Sequence, residues 1–387
     1  MRTPVIVVAG HNSAAGTAEI TRVLLERPGT LAVEHDFDGH VVHRTTTSIQ
    51  RGITVKADAV LELTNCCLSC TVREDLMAHL CHLHRRGGVE RIVVRLAPWL
   101  EPAPVCAAIA HSTAASELSV AAVLTAVDTD TWLPHALGEE ELADGRTVAQ
   151  VVVGQVEFAD VAVLSATDRE TLAVVRRLAP RARITVGADR LELALAHLES
   201  DARRGRGDDP HASLLAGQPP LDPDGRVGLV EFTARRPFHP DRLHDALDVL
   251  LDGVVRSRGR LWVANRPDRV MWLESAGGGL LVTNAGKWLA AMTSREAAYV
   301  NPERRAMAAL MWDPRHGDRH TSLAVLTCGA GDRDITRALN DALLTDDEMS
   351  REHEWSGYAD PFGDWHADPC GEAVSTSAGE EESGAKG

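Results

Sequence analysis

Residues 4–10, PVIVVAG, constrain the fold more than any other stretch of this chain. They form a short apolar run that stops at a glycine, and TAEITRVLLE at 17–26 then reads as a helix. A strand covered on both faces is apolar without alternation. Buried strand, glycine-bearing loop and helix, in that order, open a nucleotide-binding α/β fold. Further buried-strand candidates are LAVEH at 31–35, AVLELT at 59–64, RIVVRL at 91–96, VAAVLTAV at 120–127 and DVAVLSA at 160–166. Helical stretches, among them REDLMAHLCHLHRR at 73–86 and RETLAVVRRLA at 169–179, separate most of these. The alternation predicts the α/β class: a mostly parallel sheet with helices on both faces.

At 387 residues the chain is longer than one core usually organises, which predicts two domains. The expected division is a nucleotide-binding-like domain at 1–200 and a linker at 201–226, rich in Gly, Pro, Asp and Arg. A smaller α+β domain at 227–366 follows, then a small-residue, charged tail at 367–387 expected to be disordered. The second domain opens with VGLVEFTA, then the helix DRLHDALDVLL, the strands RLWVANR, VMWLESA, LLVTNAG and SLAVLTCGA, and a final helix.

Charge excludes some partners. Acidic residues outnumber basic ones 56 to 40, a net charge of −16, and such a surface repels phosphate backbones, so nucleic acid is not expected as a partner. No run approaches the roughly 18 apolar residues of a membrane span, so no membrane association is expected. The first residues lack the pattern of a signal peptide, and the expected location is the cytoplasm. In that compartment the seven cysteines point to metal or redox chemistry rather than a disulfide framework.

Three of the seven crowd together as Cys66, Cys67 and Cys70. Thiolates are soft ligands suited to Zn²⁺ or Cu⁺, and zinc takes about four ligands. Three sulfurs within five residues hold one ion if the loop curls round it, with the fourth ligand supplied from elsewhere. Glu34, His35 and Asp36, expected in a loop after the second strand, are the candidates, with His40 and His43 close behind. The bland reading of the cysteines is three small buried thiols.

The glycine loop is eroded. A Walker A loop, G-x-x-x-x-G-K-[ST], cradles phosphates with its amides, neutralises them with its lysine and holds Mg²⁺ through its hydroxyl. Gly10 fits the first position and Thr17 the Mg²⁺ ligand, but Ala15 stands at the second glycine and Gly16 at the lysine. Shifting by one residue makes Gly16 the second glycine and puts Thr17 at the lysine, so neither register supplies a cation. The alternative reading keeps only the fold, with Gly10 ending a strand and Thr17 capping a helix.

RRPFHPDRLHDAL, GVVRSRGRLWVANRPD, WDPRHGDRHTSLAVLTCG and ALNDALLTDDEM in the second domain resemble the C-terminal domain of the CobW family of P-loop metallochaperones. ELTNCCLSCTVREDL at 62–76 resembles the family's cysteine segment, N-G-C-x-C-C-T-x-R-x-D-L, with Ser69 in place of the middle cysteine and Cys66 in place of the glycine. LAPWLEPAPV at 96–105 is similar to its switch segment, and QVEFADVAVLSATD at 155–168 to its base-recognition segment. The resemblance implies a zinc metallochaperone that binds GTP with Mg²⁺ and allocates zinc to a zinc-dependent client, as a homo-oligomer or beside a paralogue. It also implies damage. The switch's acidic residue and glycine align with Arg95 and Pro98, and N-K-x-D aligns with Ser165, Ala166, Thr167 and Asp168, which keeps only the aspartate. Gly10, Gly16, Thr17 and Asp168 are then a degenerate nucleotide site. Three functions follow: a metal-handling protein with GTP hydrolysis lost or weak, an active GTPase that couples hydrolysis to metal delivery, or a non-enzymatic pseudo-GTPase interaction module.

Overall fold

The computed structural model describes residues 2–11, 13–62, 68–207 and 209–363. The first sheet is built from β1 (Thr3–Ala9), β2 (Thr30–Phe37), β3 (Val42–Gln50), β4 (Ile53–Leu61), β5 (Arg91–Arg95), β6 (Leu118–Val127), β7 (Val161–Leu164) and β8 (Arg183–Val186). Its order is β4-β3-β2-β5-β1-β6-β7-β8. From β2 to β8 every pairing is parallel, while β3 and β4 add an antiparallel hairpin at one edge.

The unbroken apolar run of β1 has the physical cause the sequence suggests. Val5, Val7 and Ala9 face a core shared with α2 (Leu68–Arg86) and α3 (Pro102–His111), through Leu76, Leu80, Val105 and Ile109. Ile6 and Val8 face the other way, against Ile20 and Leu24 of α1 (Ala14–Leu25). A strand sandwiched by helices has no solvent face on which a polar residue would be favoured.

The hairpin departs from the sequence reading. AVLELT at 59–64 was expected as a buried strand; its described part ends β4, an exposed edge strand. Ile53, Val55 and Val60 are 68%, 41% and 62% exposed, so apolarity there does not report burial. An edge strand has a neighbour on one side only, and single exposed apolar side chains are common on protein surfaces.

Beyond β6 lie α4 (Trp132–Ala136), α5 (Val148–Glu157), α6 (Arg169–Leu178) and α7 (Leu191–Ala196). A reciprocal capping box between Thr147 and Gln150 starts α5. The second sheet, in the order β12-β11-β10-β13-β9, is antiparallel throughout. Its strands are β9 (Val227–Ala234), β10 (Val254–Leu261), β11 (Arg269–Ala276), β12 (Gly279–Lys287) and β13 (Thr321–Cys328). One face packs on α8 (Pro240–Ala246) and α11 (Asp332–Asp341), two helices separated by α9 (Ser294–Ala298) and α10 (Pro302–Leu310). Part of the opposite face buries Val255, Leu326 and Cys328 against α5 and α6 of the first sheet's layer. The 201–226 segment is not a free tether: Pro210 and Ala212 accept hydrogen bonds from Arg260, and Leu214 from Arg258. The expected tail at 367–387 lies outside the described residues.

Candidate metal and nucleotide sites

The loop after β1 is closed by its own neighbours. The His11 amide donates to Gln155 Oε1 at 2.9 Å, and Gln155 Nε2 donates to the carbonyls of Pro98 (3.1 Å) and Leu100 (3.0 Å). His11 Nδ1 also lies 3.1 Å from the Pro98 carbonyl, which requires that nitrogen to carry the proton. One buried glutamine, 1% exposed, thus ties the phosphate-type loop to the switch-like segment. A loop amide that would face a phosphate is already donated.

Thr17 is buried in the first turn of α1, and its hydroxyl lies 3.1 Å from the Ala14 carbonyl, to which it donates. It is not the helix cap; Ser13 stands at that position. Gly10 and Gly16 are required by crowding. A Cβ at Gly10 would fall 2.9 Å from Thr17 Cγ2, and one at Gly16 only 2.4 Å from Ser13 Oγ. Beside this loop, between His11, Ser13, Asp128, Trp132 and Gln155, the cavity is about 10 Å³. That is the room of about one water, whereas ligand sites take hundreds of Å³. The described residues of the loop therefore enclose no ligand-sized space beside Gln155.

The remaining nucleotide-type residues have local duties as well. Asp168 is the N-cap of α6 and accepts from the Thr171 amide at 2.8 Å, a hydrogen bond that holds its carboxyl below the usual range. Arg95 forms an ion pair with Glu34, directly opposite it in the β2–β5 register.

Glu34 and His35 therefore sit within β2, not in a loop after it. His35 is buried, and its Nε2 lies 2.8 Å from Asp75 Oδ2. Arg44 of β3 donates to the other oxygen of Asp75 at 2.6 Å. Burial alone would raise the Asp75 carboxyl, but these two partners outweigh it and hold the group below its ordinary value. One turn further along α2, His79 lies 2.8 Å from the Thr46 hydroxyl, and burial reinforced by Arg44 pushes it down to about 4. Asp75 and His79 thus clamp α2 onto β2 and β3.

Cys70 is the third residue of α2, half-buried, with an Arg73 guanidinium nitrogen 3.6 Å from its sulfur. Cys66 and Cys67 lie outside the described residues. Among the described residues no group of three or more His, Cys, Asp and Glu side chains could hold a metal ion. Gln155 and Asp75 were missed as organising residues by the sequence reading. Asp75 stood in the quoted cysteine motif, at its aspartate, and Gln155 opened the quoted base-recognition segment, but neither position showed what it would pair with.

A mostly parallel sheet with a glycine loop at the carboxyl end of β1, followed by a small antiparallel domain, is an α/β architecture of the nucleotide-binding class. Residues 32–186 match the CobW/HypB/UreG nucleotide-binding domain, and residues 227–343 match the cobalamin synthesis protein cobW C-terminal domain. The chain is 60% identical to a protein of Mycobacterium tuberculosis (strain ATCC 25618 / H37Rv) named a zinc chaperone, over 98% of this chain and 97% of that one. It is equally similar to an uncharacterized protein of Mycobacterium bovis. It is 24% identical to the zinc-regulated GTPase metalloprotein activator 1 of Dictyostelium discoideum, over 93% and 84% of the two chains. The chain belongs to the CobW/HypB/UreG family. Among the described residues no helix is long and apolar enough to cross a membrane.

Proposed function

We propose that this protein carries a transition metal, zinc first, as cargo on Cys66, Cys67 and Cys70, and that it does so with GTP hydrolysis lost. The observation that carries the reading is the clamp on Asp75. It fixes the first turns of α2, and Cys70 with them, against β2 and β3. A thiolate held on a fixed helix end is a suitable anchor for a cysteine-based site. The relative named a zinc chaperone, aligned over nearly the whole chain, supports zinc as the metal. The receiver would be a zinc-dependent client protein in the cytoplasm.

Loss of hydrolysis rests on the loop after β1. Phosphoryl transfer relies on cations and amides placed around the transferring group. Here the lysine position is Gly16, the His11 amide is donated to Gln155, and Arg95 is paired with Glu34. Glu34 and His35 stay candidates for the fourth ligand only if Arg95 and Asp75 release them. Metal analysis of protein purified under reducing conditions, with Zn²⁺, Co²⁺ and Ni²⁺ in competition, tests the reading. About one zinc per chain is expected; a chain that takes up no zinc overturns it.

A further inference from the structure

Three arginines, Arg256, Arg258 and Arg260, recur at alternate positions of β10 and so share one face of the second sheet. The first two meet Glu157 at the end of α5, at 2.9 and 2.8 Å. The third has no such partner. Arg260 is 8% exposed and, among the described residues, forms no ion pair. One of its terminal nitrogens donates to the carbonyls of Pro210 and Ala212, and its Nε–H has no partner. A guanidinium buried to this degree without a carboxylate is uncommon, because desolvating a charge is costly unless it is compensated.

Arg260 lines a cavity of about 400 Å³ between the second sheet, the 209–215 segment and α10. Arg304, Arg235, His211, His320 and Trp288 line it too. Arg304 and Arg235 donate to the carbonyls of Lys287 and Met311 and, like Arg260, form no ion pair among the described residues. Among the described residues, the acidic side chains that line the cavity, Asp318 and Glu231, form no ion pair with these arginines. Both oxygens of Asp318 accept backbone amides, from Leu289 and Ala290, each at 2.9 Å. Glu231 is exposed at the rim, and Asp209 lies nearby without forming an ion pair. Trp288, 1% exposed, has an unpartnered Nε1–H, and His320 an unpartnered Nε2. Burial, reinforced by Arg304 and opposed by Asp209, pushes His211 down to about 4.

We propose that this cavity binds a small organic molecule carrying at least two negative charges on oxygen, which supplies to Arg260 the carboxylate-type partner that Glu157 supplies to Arg256 and Arg258. Two sources share that chemistry, phosphomonoesters and dicarboxylates. Guanidiniums suit both because their N–H groups match paired oxygens. Neither Cys70 nor any residue of the loop after β1 lines this cavity, so the proposal does not depend on the metal reading.

The test is titration of the full chain with inorganic phosphate and, separately, malonate, at constant ionic strength set with chloride. Binding is followed by calorimetry and by tryptophan fluorescence, since the Trp288 ring lies 5.4 Å from the His320 ring, tilted by 55°, and both line the cavity. Saturable one-to-one binding of either probe is expected, and the tighter probe tells which source the site prefers. Arg260→Met and the half-buried Arg304→Gln should each weaken it by about tenfold or more, the loss of one charge-assisted contact. Arg22→Gln removes the same charge from the exposed face of α1 and should leave it unchanged. If Arg260→Met fails to fold, Arg304→Gln alone decides. No saturable binding of either probe, or equal weakening by Arg22→Gln, overturns the proposal.

Discussion

The loop after β1 and the start of α2 lie at the same edge of one sheet, since β1, β2 and β4 run in the same direction. They differ in where their polar groups point. In the first region the His11 amide, the Thr17 hydroxyl and the Pro98 carbonyl all find partners inside the protein, and Gln155 closes the set. In the second region Asp75 satisfies His35 and Arg44, while the Cys70 sulfur stays half-buried, with an arginine beside it. A site closes when its ligand-facing groups acquire internal partners, because a satisfied buried hydrogen bond is expensive to reopen. Loss of the lysine in the glycine loop therefore places no demand on Cys70, at the same edge of the sheet.

The comparison is broken most directly at the cysteines. Replacing Cys66, Cys67 and Cys70 together by serine should lower zinc affinity by more than about 100-fold, since changing mere supporting residues already costs 10–100-fold. Competition against a chromophoric chelator measures this, and unchanged affinity would remove the metal site from the cysteine segment.

Gln155→Ala probes the closed region. It strands the His11 amide and the Leu100 carbonyl and leaves the Pro98 carbonyl only the His11 ring, and should cost roughly 2 kcal/mol in urea unfolding. A cost within experimental error would mean that the glutamine does not hold the loop shut.

Asp75→Asn sharpens the other side, and pH gives it a sign. The folded Asp75 carboxyl titrates below its ordinary 3.8, so its contribution is present above that pH and is lost as pH falls through the lower folded value. The variant should be less stable than the parent by about 1–2 kcal/mol at pH 7, with the difference shrinking below about pH 4. A difference that persists undiminished in acid would show that the partnership is not electrostatic.

Asp168→Ala should cost about 1 kcal/mol, the worth of an N-cap. A simultaneous loss of guanine-nucleotide binding would instead give this residue the base-recognition duty that the family resemblance implies.

The smallest expected effect is on catalysis. Gly16→Lys restores the missing lysine in the sequence, yet its Cβ would meet Ser13 Oγ at 2.4 Å while Gln155 and the Arg95–Glu34 pair stay in place. GTP turnover should remain at the level of a Thr17→Ala control; hydrolysis by the parent protein clearly above that control would restore the active-GTPase reading.

The sequence by itself determined the strand–loop–helix opening, the parallel core and the family. Those features are written in runs of apolar residues and in motifs whose spacing is local, so PVIVVAG needs no knowledge of its neighbours to be read as a buried strand. It also showed that no cation stands in the glycine loop. Only the tertiary structure decided what had replaced it. Gln155 lies 144 residues from His11, and Asp75 lies 40 from His35 and 31 from Arg44. The same holds for residues 59–61, read as part of a buried strand although they end an exposed edge strand, and for Arg260, which reads as one more arginine in a strand. Whether an apolar side chain is covered, or a charged one is paired, depends on what the fold brings against it, and those partners come from segments that local spacing does not connect.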